Sequence, residues 1–257
     1  MFKNILLLAA IVALFCSASA DGNRRQKGRR NKGGELYVSD GIYARGAKGG
    51  KGGKGGKGGK GGREVYPRQY TLEVTNLAFN QPFSPFVVIV HDDTVQLYEL
   101  GEPASAGLKD LAENGSPAML IAMLNNMPGV LSVESFMEGA PFTVGGSFDI
   151  PVHVNQRYPY VTIASMAINT NDAFVALNGI RPRRGDVYFA DGLDAGTEEN
   201  NELCASMPGP GCPADSGNVA SGNGEGVVHV HRGFHGIGDL PADRYDWRNP
   251  MMRVEIS

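Results

Sequence analysis

Residues 86–90 are Phe-Val-Val-Ile-Val, and residues 70–77 are Tyr-Thr-Leu-Glu-Val-Thr-Asn-Leu. The first stretch is continuously apolar and mostly β-branched, which predicts a strand that is buried on both faces. The second stretch alternates polar with apolar residues, which predicts a strand with one buried face. Together they indicate a domain built mainly from strands.

Further strand candidates are separated by turn-rich stretches: Val130–Phe136, Ser147–Val154, Tyr160–Ile168, Phe174–Leu177, Val187–Phe189, Val227–His231 and Met251–Ile256. Two short helices are predicted between them. The first spans Pro103–Glu113 and stops at Asn114-Gly115, and the second spans Pro117–Asn125 with Ser116 as its cap. Many short strands at regular spacing predict an all-β fold, an antiparallel β-sandwich or barrel, whose loops carry any chemistry.

Charge divides the chain into two parts. Residues 21–63 hold thirteen Lys/Arg and three Asp/Glu, a net of +10, whereas residues 64–257 hold ten and twenty-four, a net of −14. The acidic part disfavours nucleic-acid binding, because phosphate contacts need clustered cations. The only long apolar run lies at the N-terminus, which excludes a protein with several membrane spans.

The first twenty residues have the pattern of an export signal. Lys3 precedes an apolar run from Ile5 to Cys16, and Ala18-Ser-Ala20 supplies the small residues that signal peptidase recognises. We therefore expect a secreted protein of the extracellular space or cell wall, with no stable membrane insertion. Removing residues 1–20 leaves Cys204 and Cys212, which predict a disulfide in an exported chain, with two free thiols as the alternative.

Residues 21–65 are predicted to form a disordered basic tail. The segment has no sustained hydrophobic period, and residues 48–62 are five Lys-Gly-Gly units. Glycine keeps the backbone free and the lysines repel one another, so the segment cannot bury enough surface to order itself. Such a polycation suits anionic surfaces such as polysaccharide, silica or acidic protein, bound in a salt-sensitive way. The alternatives are a tail that lies against its own acidic body, or a plain spacer.

Two oxygen-rich loops are candidates for calcium binding. The first is Asn169-Thr-Asn-Asp172, directly after a predicted strand, and the second runs from Asp191 to Glu202. Asp194 and Glu198 flank Ala-Gly-Thr, a small turn that could aim both carboxylates inward, with Asp172 as a third. Calcium takes six to eight oxygen ligands, which flexible loops can supply. The spacing does not fit a helix–loop–helix calcium site, and composition alone is more typical of a solvated acidic loop.

Several of these motifs resemble the spondin N-terminal domain family. Ser165-Met166, Asn169–Phe174 and Asp194-Ala-Gly-Thr-Glu198 are similar to segments of the F-spondin type, and residues 70–74, 81–85 and 228–236 are similar to microbial members. The resemblance covers roughly residues 66–257. Ala173 and Leu193 stand where the F-spondin type has tryptophan, and Glu198 replaces a shorter aspartate.

The resemblance implies a C2-like β-sandwich, with the two short helices inserted and with calcium bound at one end. The calcium ligands carried over by motif are Asp172, Asp194 and Glu198. It also implies a non-enzymatic role in attachment to extracellular matrix or cell wall, with an anionic extracellular polymer or a matrix protein as partner.

Three histidines form an alternative metal site. His229 and His231 are expected on one strand face, and His235 follows four residues later, a spacing that can bind zinc or copper. No glutamate or cysteine accompanies them in the motif, and histidines that simply stabilise the end of the sandwich are the other interpretation. Two further functions stay open: a secreted His-ligated metalloenzyme, although the chain has no nucleophile elbow, and a mineral- or polysaccharide-associated structural protein that acts through its tail.

Overall fold

The computed structural model describes residues 36–39, 42–45, 67–137, 143–217 and 219–257. The predicted export signal and the Lys-Gly-Gly repeats lie outside the described residues. Within the predicted tail, strands β1 (Leu36–Ser39) and β2 (Ile42–Arg45) form an antiparallel hairpin, and β2 also pairs with β5 (Val95–Gln96). These two strands lie within the predicted tail, but their sequences differ from the glycine- and lysine-rich repeats on which the prediction of disorder rests. The strands are separated in sequence by Asp-Gly, a dipeptide typical of two-residue hairpin turns.

Two antiparallel sheets make up the body. The four-stranded sheet has the order β10-β13-β3-β7, formed by Val187–Ala190, Met252–Ile256, Arg68–Asn76 and Ser147–Val154. The six-stranded sheet has the order β12-β11-β9-β8-β4-β6, formed by His229–Val230, Gly192–Asp194, Ala173–Ile180, Tyr160–Met166, Phe86–His91 and Val130–Phe136. The prediction of an all-β sandwich is confirmed.

Strand β4 is buried on both faces, as its continuous apolar run predicts. Phe86, Val88 and Val90 belong to the core between the two sheets. Val87 and Ile89 belong to a second core, which two helices complete on the outer face of the six-stranded sheet: α1 (Ala106–Asn114) and α2 (Ala118–Leu124). The inserted helices therefore have a packing role, because they cover a sheet face that would otherwise expose apolar side chains.

The two predicted helices differ in how they begin. The Ser105 hydroxyl accepts a hydrogen bond from the Leu108 amide (3.1 Å) at the start of α1, which ends at Gly115 with a φ of 63°. The predicted Ser116 cap of α2 is wrong: Pro117 occupies the cap position and makes no side-chain hydrogen bond there. A third helix, α3 (Ala242–Tyr245), and strand β11 were not predicted, because each is shorter than a detectable period.

The long connection after β11 is held by the predicted disulfide. Cys204 and Cys212 are bonded, and both pack against the core between the sheets. Within the described residues, no helix combines the length and the apolar character that crossing a bilayer requires.

Candidate functional site

Strand register brings the two predicted acidic loops together. Asp194, the last residue of β11, is paired with Ala173, the first residue of β9, so Asp172 lies directly beside the end of β11. On its other side Asp194 is paired with His229 of β12. We call this end of the six-stranded sheet, with Asp172, Asp194, Glu198 and His229, the acidic end.

The Asp172 carboxylate organises the turn that follows β11. Asp172 is 0% exposed, and its Oδ2 accepts hydrogen bonds from the amides of Thr197 (2.7 Å) and Glu198 (3.0 Å). The Thr197 hydroxyl donates to the same oxygen at 3.1 Å. Two loops that are distant in sequence are thereby joined through one carboxylate.

The other two predicted carboxylates are also buried, but they point to different partners. Asp194 accepts the Gly196 amide at Oδ1 (2.7 Å) and the Asn200 side-chain amide at Oδ2 (2.6 Å). Glu198 accepts the Ser221 amide at Oε1 and the Ser221 hydroxyl at Oε2, both at 3.2 Å. Both oxygens of Glu198 therefore accept hydrogen bonds from Ser221, and Asn171 contributes a further side-chain hydrogen bond.

Unpaired polar atoms concentrate at the acidic end. Among the described residues, three buried side-chain nitrogen or oxygen atoms lack a hydrogen-bond partner, and two of them are Asp172 Oδ1 and His229 Nδ1. Over the same part of the chain, no lysine or arginine forms an ion pair with Asp172, Asp194 or Glu198. Burying a polar atom without a partner costs free energy, so a bound group that satisfied these two atoms would stabilise the acidic end.

Burial opposes ionisation of all three carboxyl groups. The pKa of Asp172 is raised from 3.8 to about 7, chiefly by burial and next by the charge of Asp194, while the hydrogen bonds from Thr197 and Glu198 oppose the rise. Burial also raises the pKa of Asp194 and that of Glu198. Neighbouring carboxylates in a buried site ionise together only when a positive charge lies near them.

The three histidines are not equivalent. His229 Nδ1 and His231 Nε2 each lie 3.9 Å from Asp194 Oδ2, so both imidazoles face the same carboxylate. His231 is buried, and burial lowers its pKa to about 4, with the charge of His229 as the next cause. Its Nδ1 accepts the Gly233 amide (3.0 Å) and its Nε2 lies 3.2 Å from Asn200 Oδ1. His235 is exposed, and together with His229 and His231 it lines a cavity of about 200 Å³.

One mixed group has ligand atoms close enough for a single ion. Within the described residues, Asp194, Glu225 and His229 are the only three His, Cys, Asp or Glu residues whose donor atoms all lie within 4.8 Å of one another. The group takes one member from each predicted site and adds Glu225, which sequence reasoning missed. Its only sequence signal is a glutamate four residues before His229. The group includes neither Asp172 and Glu198 nor His231 and His235.

His91, whose position relative to these histidines the sequence leaves open, lies at the opposite end of the sheet. It is paired with Tyr160, the first residue of β8. Its ring nitrogens lie 2.7 Å from the Asp92 carbonyl oxygen and 2.8 Å from Thr162 Oγ1.

Comparison with known proteins gives one family. Residues 59–181 match the family model described as Spondin_N, which confirms the resemblance stated from the motifs. Asp172 lies inside the matched residues, whereas Asp194, Glu198 and the three histidines follow them in the chain. A search of curated proteins finds no match.

Proposed function

The chain is a member of the spondin N-terminal domain family, and on that premise we propose that it is a secreted calcium-binding module that attaches to extracellular matrix or cell-wall material. Domains of this family are typically extracellular. The attachment role is the one that the family resemblance implies. In this proposal the ion is structural, and the basic tail adds weak, multivalent contacts to anionic polymer.

The observation that carries the calcium proposal is the unpaired Oδ1 of Asp172. This atom is fully buried, and it belongs to a carboxyl group whose neighbour is a second buried carboxyl group, Asp194. A hard divalent cation would supply the missing partner of Oδ1 and the missing positive charge together. The chemistry of the donor set suits the ion, because Asp172, Asp194 and Glu198 all offer carboxylate oxygens, although Glu198 would have to exchange its hydrogen bonds with Ser221 for the ion.

The ion would act by cross-linking loops. Asp172 precedes β9, whereas Asp194 and Glu198 flank the turn after β11, so a shared ion would tie two strand ends across the edge of the sheet. It would also keep Asp172 and Asp194 ionised at neutral pH. The turn could then present one fixed surface to a partner, at a lower cost in loop ordering.

Calcium dependence of thermal stability tests the proposal. The full chain is stripped with EDTA, and its Tm is measured with and without added calcium. Calcium at a hundredfold excess over its Kd should stabilise the fold by about 2.7 kcal/mol. Asp172→Asn and Asp194→Asn should each abolish the response, because each removes a negative oxygen from the site.

The matched control is Asp93→Asn, which removes an exposed carboxylate at the opposite end of the sheet. This variant should keep the full calcium response. Isothermal titration should give one calcium per chain for the wild type and none for Asp172→Asn. An unchanged Tm in calcium and EDTA, with no binding heat, would contradict the proposal.

A transition metal at Asp194, Glu225 and His229 is the second candidate, favoured by the compactness of that group. Its mixed nitrogen and oxygen donors suit zinc better than calcium. His229→Ala separates the candidates: it should leave a calcium response intact, but it should abolish stoichiometric zinc binding. Glu225→Gln should weaken zinc binding and spare the calcium response.

A further inference from the structure

Five exposed arginines lie at the end of the sandwich opposite the acidic end: Arg68, Arg157, Arg181, Arg183 and Arg184. We call this surface the arginine end. Residues 64–257 contain only ten Lys/Arg against twenty-four Asp/Glu, so half of their cations occupy one end of an acidic body. Three of the five lie within residues 181–184, whereas Arg68 and Arg157 are distant in the sequence and join them only in the fold.

Strand register explains why these arginines meet. Arg68 begins β3 and is paired with Val154 at the end of β7, and Arg157 lies in the loop that follows. Ile180 at the end of β9 is paired with Val161 near the start of β8, and Arg181 comes next. Because Asp172 precedes β9 and Arg181 follows it, eight strand residues separate the two ends by roughly 26 Å.

Two of the guanidinium groups are held by aromatic rings. Arg184 lies over the Tyr70 ring at 5.7 Å and donates to the Gln69 carbonyl (3.3 Å), and Arg157 lies over the Tyr158 ring at 5.1 Å. Stacking leaves the N–H edges of a guanidinium free to bind an anion. It also reduces the side-chain entropy that binding would otherwise remove.

Within the described residues, none of the five arginines forms an ion pair with a carboxylate. Arg68 and Arg181 line a cavity of about 230 Å³ together with the polar side chains of Asn155 and Gln156. Asp186, two residues after Arg184, accepts a hydrogen bond from the Tyr188 hydroxyl (3.0 Å).

From this arrangement we propose that the arginine end binds a sulfated polysaccharide chain. A guanidinium group can donate two parallel hydrogen bonds to one sulfate, and several separated guanidinium groups suit a linear polymer with repeated sulfates. Duplex nucleic acid and a flat anionic membrane fit poorly, because each presents a wide anionic surface that would extend past the arginine end and face the net −14 of the body, whereas a single polysaccharide chain is narrow enough to contact the arginines alone. In the sequence, Arg63, the last cation of the basic segment, precedes Arg68 by five residues.

Titration with a heparin octasaccharide tests the proposal on the full chain, in EDTA so that calcium plays no part. Arg181→Gln with Arg184→Gln should weaken binding about tenfold. The slope of log affinity against log salt should fall by about two. The matched control, Arg244→Gln with Arg248→Gln, removes two exposed arginines elsewhere and should bind like the wild type.

A second pair, Arg157→Gln with Arg183→Gln, repeats the test at other positions of the same surface. To separate the contribution of the tail from that of the arginine end, the five lysines of residues 48–62 are replaced with glutamine. Heparin binding by this variant should still depend on the arginines of the arginine end. If both double variants of the arginine end bound the heparin octasaccharide as tightly as the control double variant does, the proposal would be overturned. Undiminished binding of fully desulfated heparin, or tighter binding to anionic lipid vesicles or duplex DNA than to heparin, would also overturn it.

Discussion

Gly196 determines the shape of the turn at the acidic end. Its φ is +67°, in the left-handed region that favours glycine, and a Cβ built on it would lie 2.2 Å from the Val227 carbonyl oxygen. Its amide donates to Asp194 Oδ1, so the residue also fixes one of the buried carboxylates. The neighbouring Thr197 uses its amide and its hydroxyl to bind Asp172. The glycine and the threonine of Asp-Ala-Gly-Thr-Glu are thus both explained by contacts to carboxylates or to backbone.

Gly196→Ala should destabilise the protein by about 2 kcal/mol or more, because it combines a strained φ with a clash against backbone. The calcium response should weaken with it, since the turn that holds Asp194 has to move. The matched control is Gly222→Ala, where a Cβ meets nothing within 4 Å. Chemical denaturation of both variants checks this, and equal stabilities would argue against the described turn.

Short elements of this fold depend on their neighbours more than on their own sequence. Strand β11 has three residues, yet it joins β9 to β12 and thereby sets Asp194 between Ala173 and His229. Helix α2 lacks a side-chain cap, but Leu120 and Leu124 are fully buried in the outer core. Helix α1 has both a cap and a buried face, so its start provides a local test of the structure.

Ser105→Ala should cost about 1 kcal/mol of stability, because it removes the hydroxyl that accepts the Leu108 amide. Ser116→Ala, at the position where the sequence predicts the cap of α2, should change stability by much less. Urea unfolding of the two variants measures the difference. A larger loss for Ser116→Ala would mean that α2 is capped by its serine after all.

At the scale of the whole molecule, the sandwich has clustered carboxyl groups at one end and clustered arginines at the other. Buried carboxyl groups lie where β9 begins, and arginines that form no ion pair within the described residues lie where it ends. The acidic end also contains two buried groups that respond to pH in opposite directions, Asp172 and His231. The pKa of Asp172 is raised to about 7, whereas that of His231 is lowered to about 4, in both cases chiefly by burial.

In EDTA, folded Asp172 holds a proton between pH 3.8 and about 7 that the unfolded chain has released, so its contribution to stability falls as pH rises through that window. Asp172→Asn should therefore gain stability relative to the wild type as pH rises from about 4 to 7. Calcium should remove this dependence in the wild type at neutral pH, because the ion replaces the proton. Parallel stability curves of wild type and variant in EDTA would contradict the raised pKa.

His231 should behave in the opposite way. Below pH 6.5 the imidazole of His231 binds a proton in the unfolded chain, whereas in the folded protein it binds one only near pH 4. The contribution of His231 to stability is therefore lost as pH falls through that window. His231→Gln should lose its ring contact with Trp247 at every pH, but its stability relative to the wild type should improve as pH falls from 6.5 to 4. Thermal melts across this range check the trend.

The sequence by itself determined the layered β architecture, because burial and alternation are local patterns: β6 and β7 have the predicted bounds, and β4 is buried on both faces. It also determined the disulfide and the division of charge between a basic segment and an acidic body. Each acidic loop could be recognised as a candidate for the same reason, since the oxygens within one loop are close together in the chain.

Only the tertiary structure decided which side chains meet. Asp194 faces His229 and Glu225, Glu198 turns to Ser221, and His91 lies at the far end of the sheet. Residues as distant as Arg68 and Arg181 come to share one surface through antiparallel pairing. Hydrophobic patterns and turn geometry limit the register of each strand, but the side chains that lie next to one another across strands are decided only when the whole sheets pack.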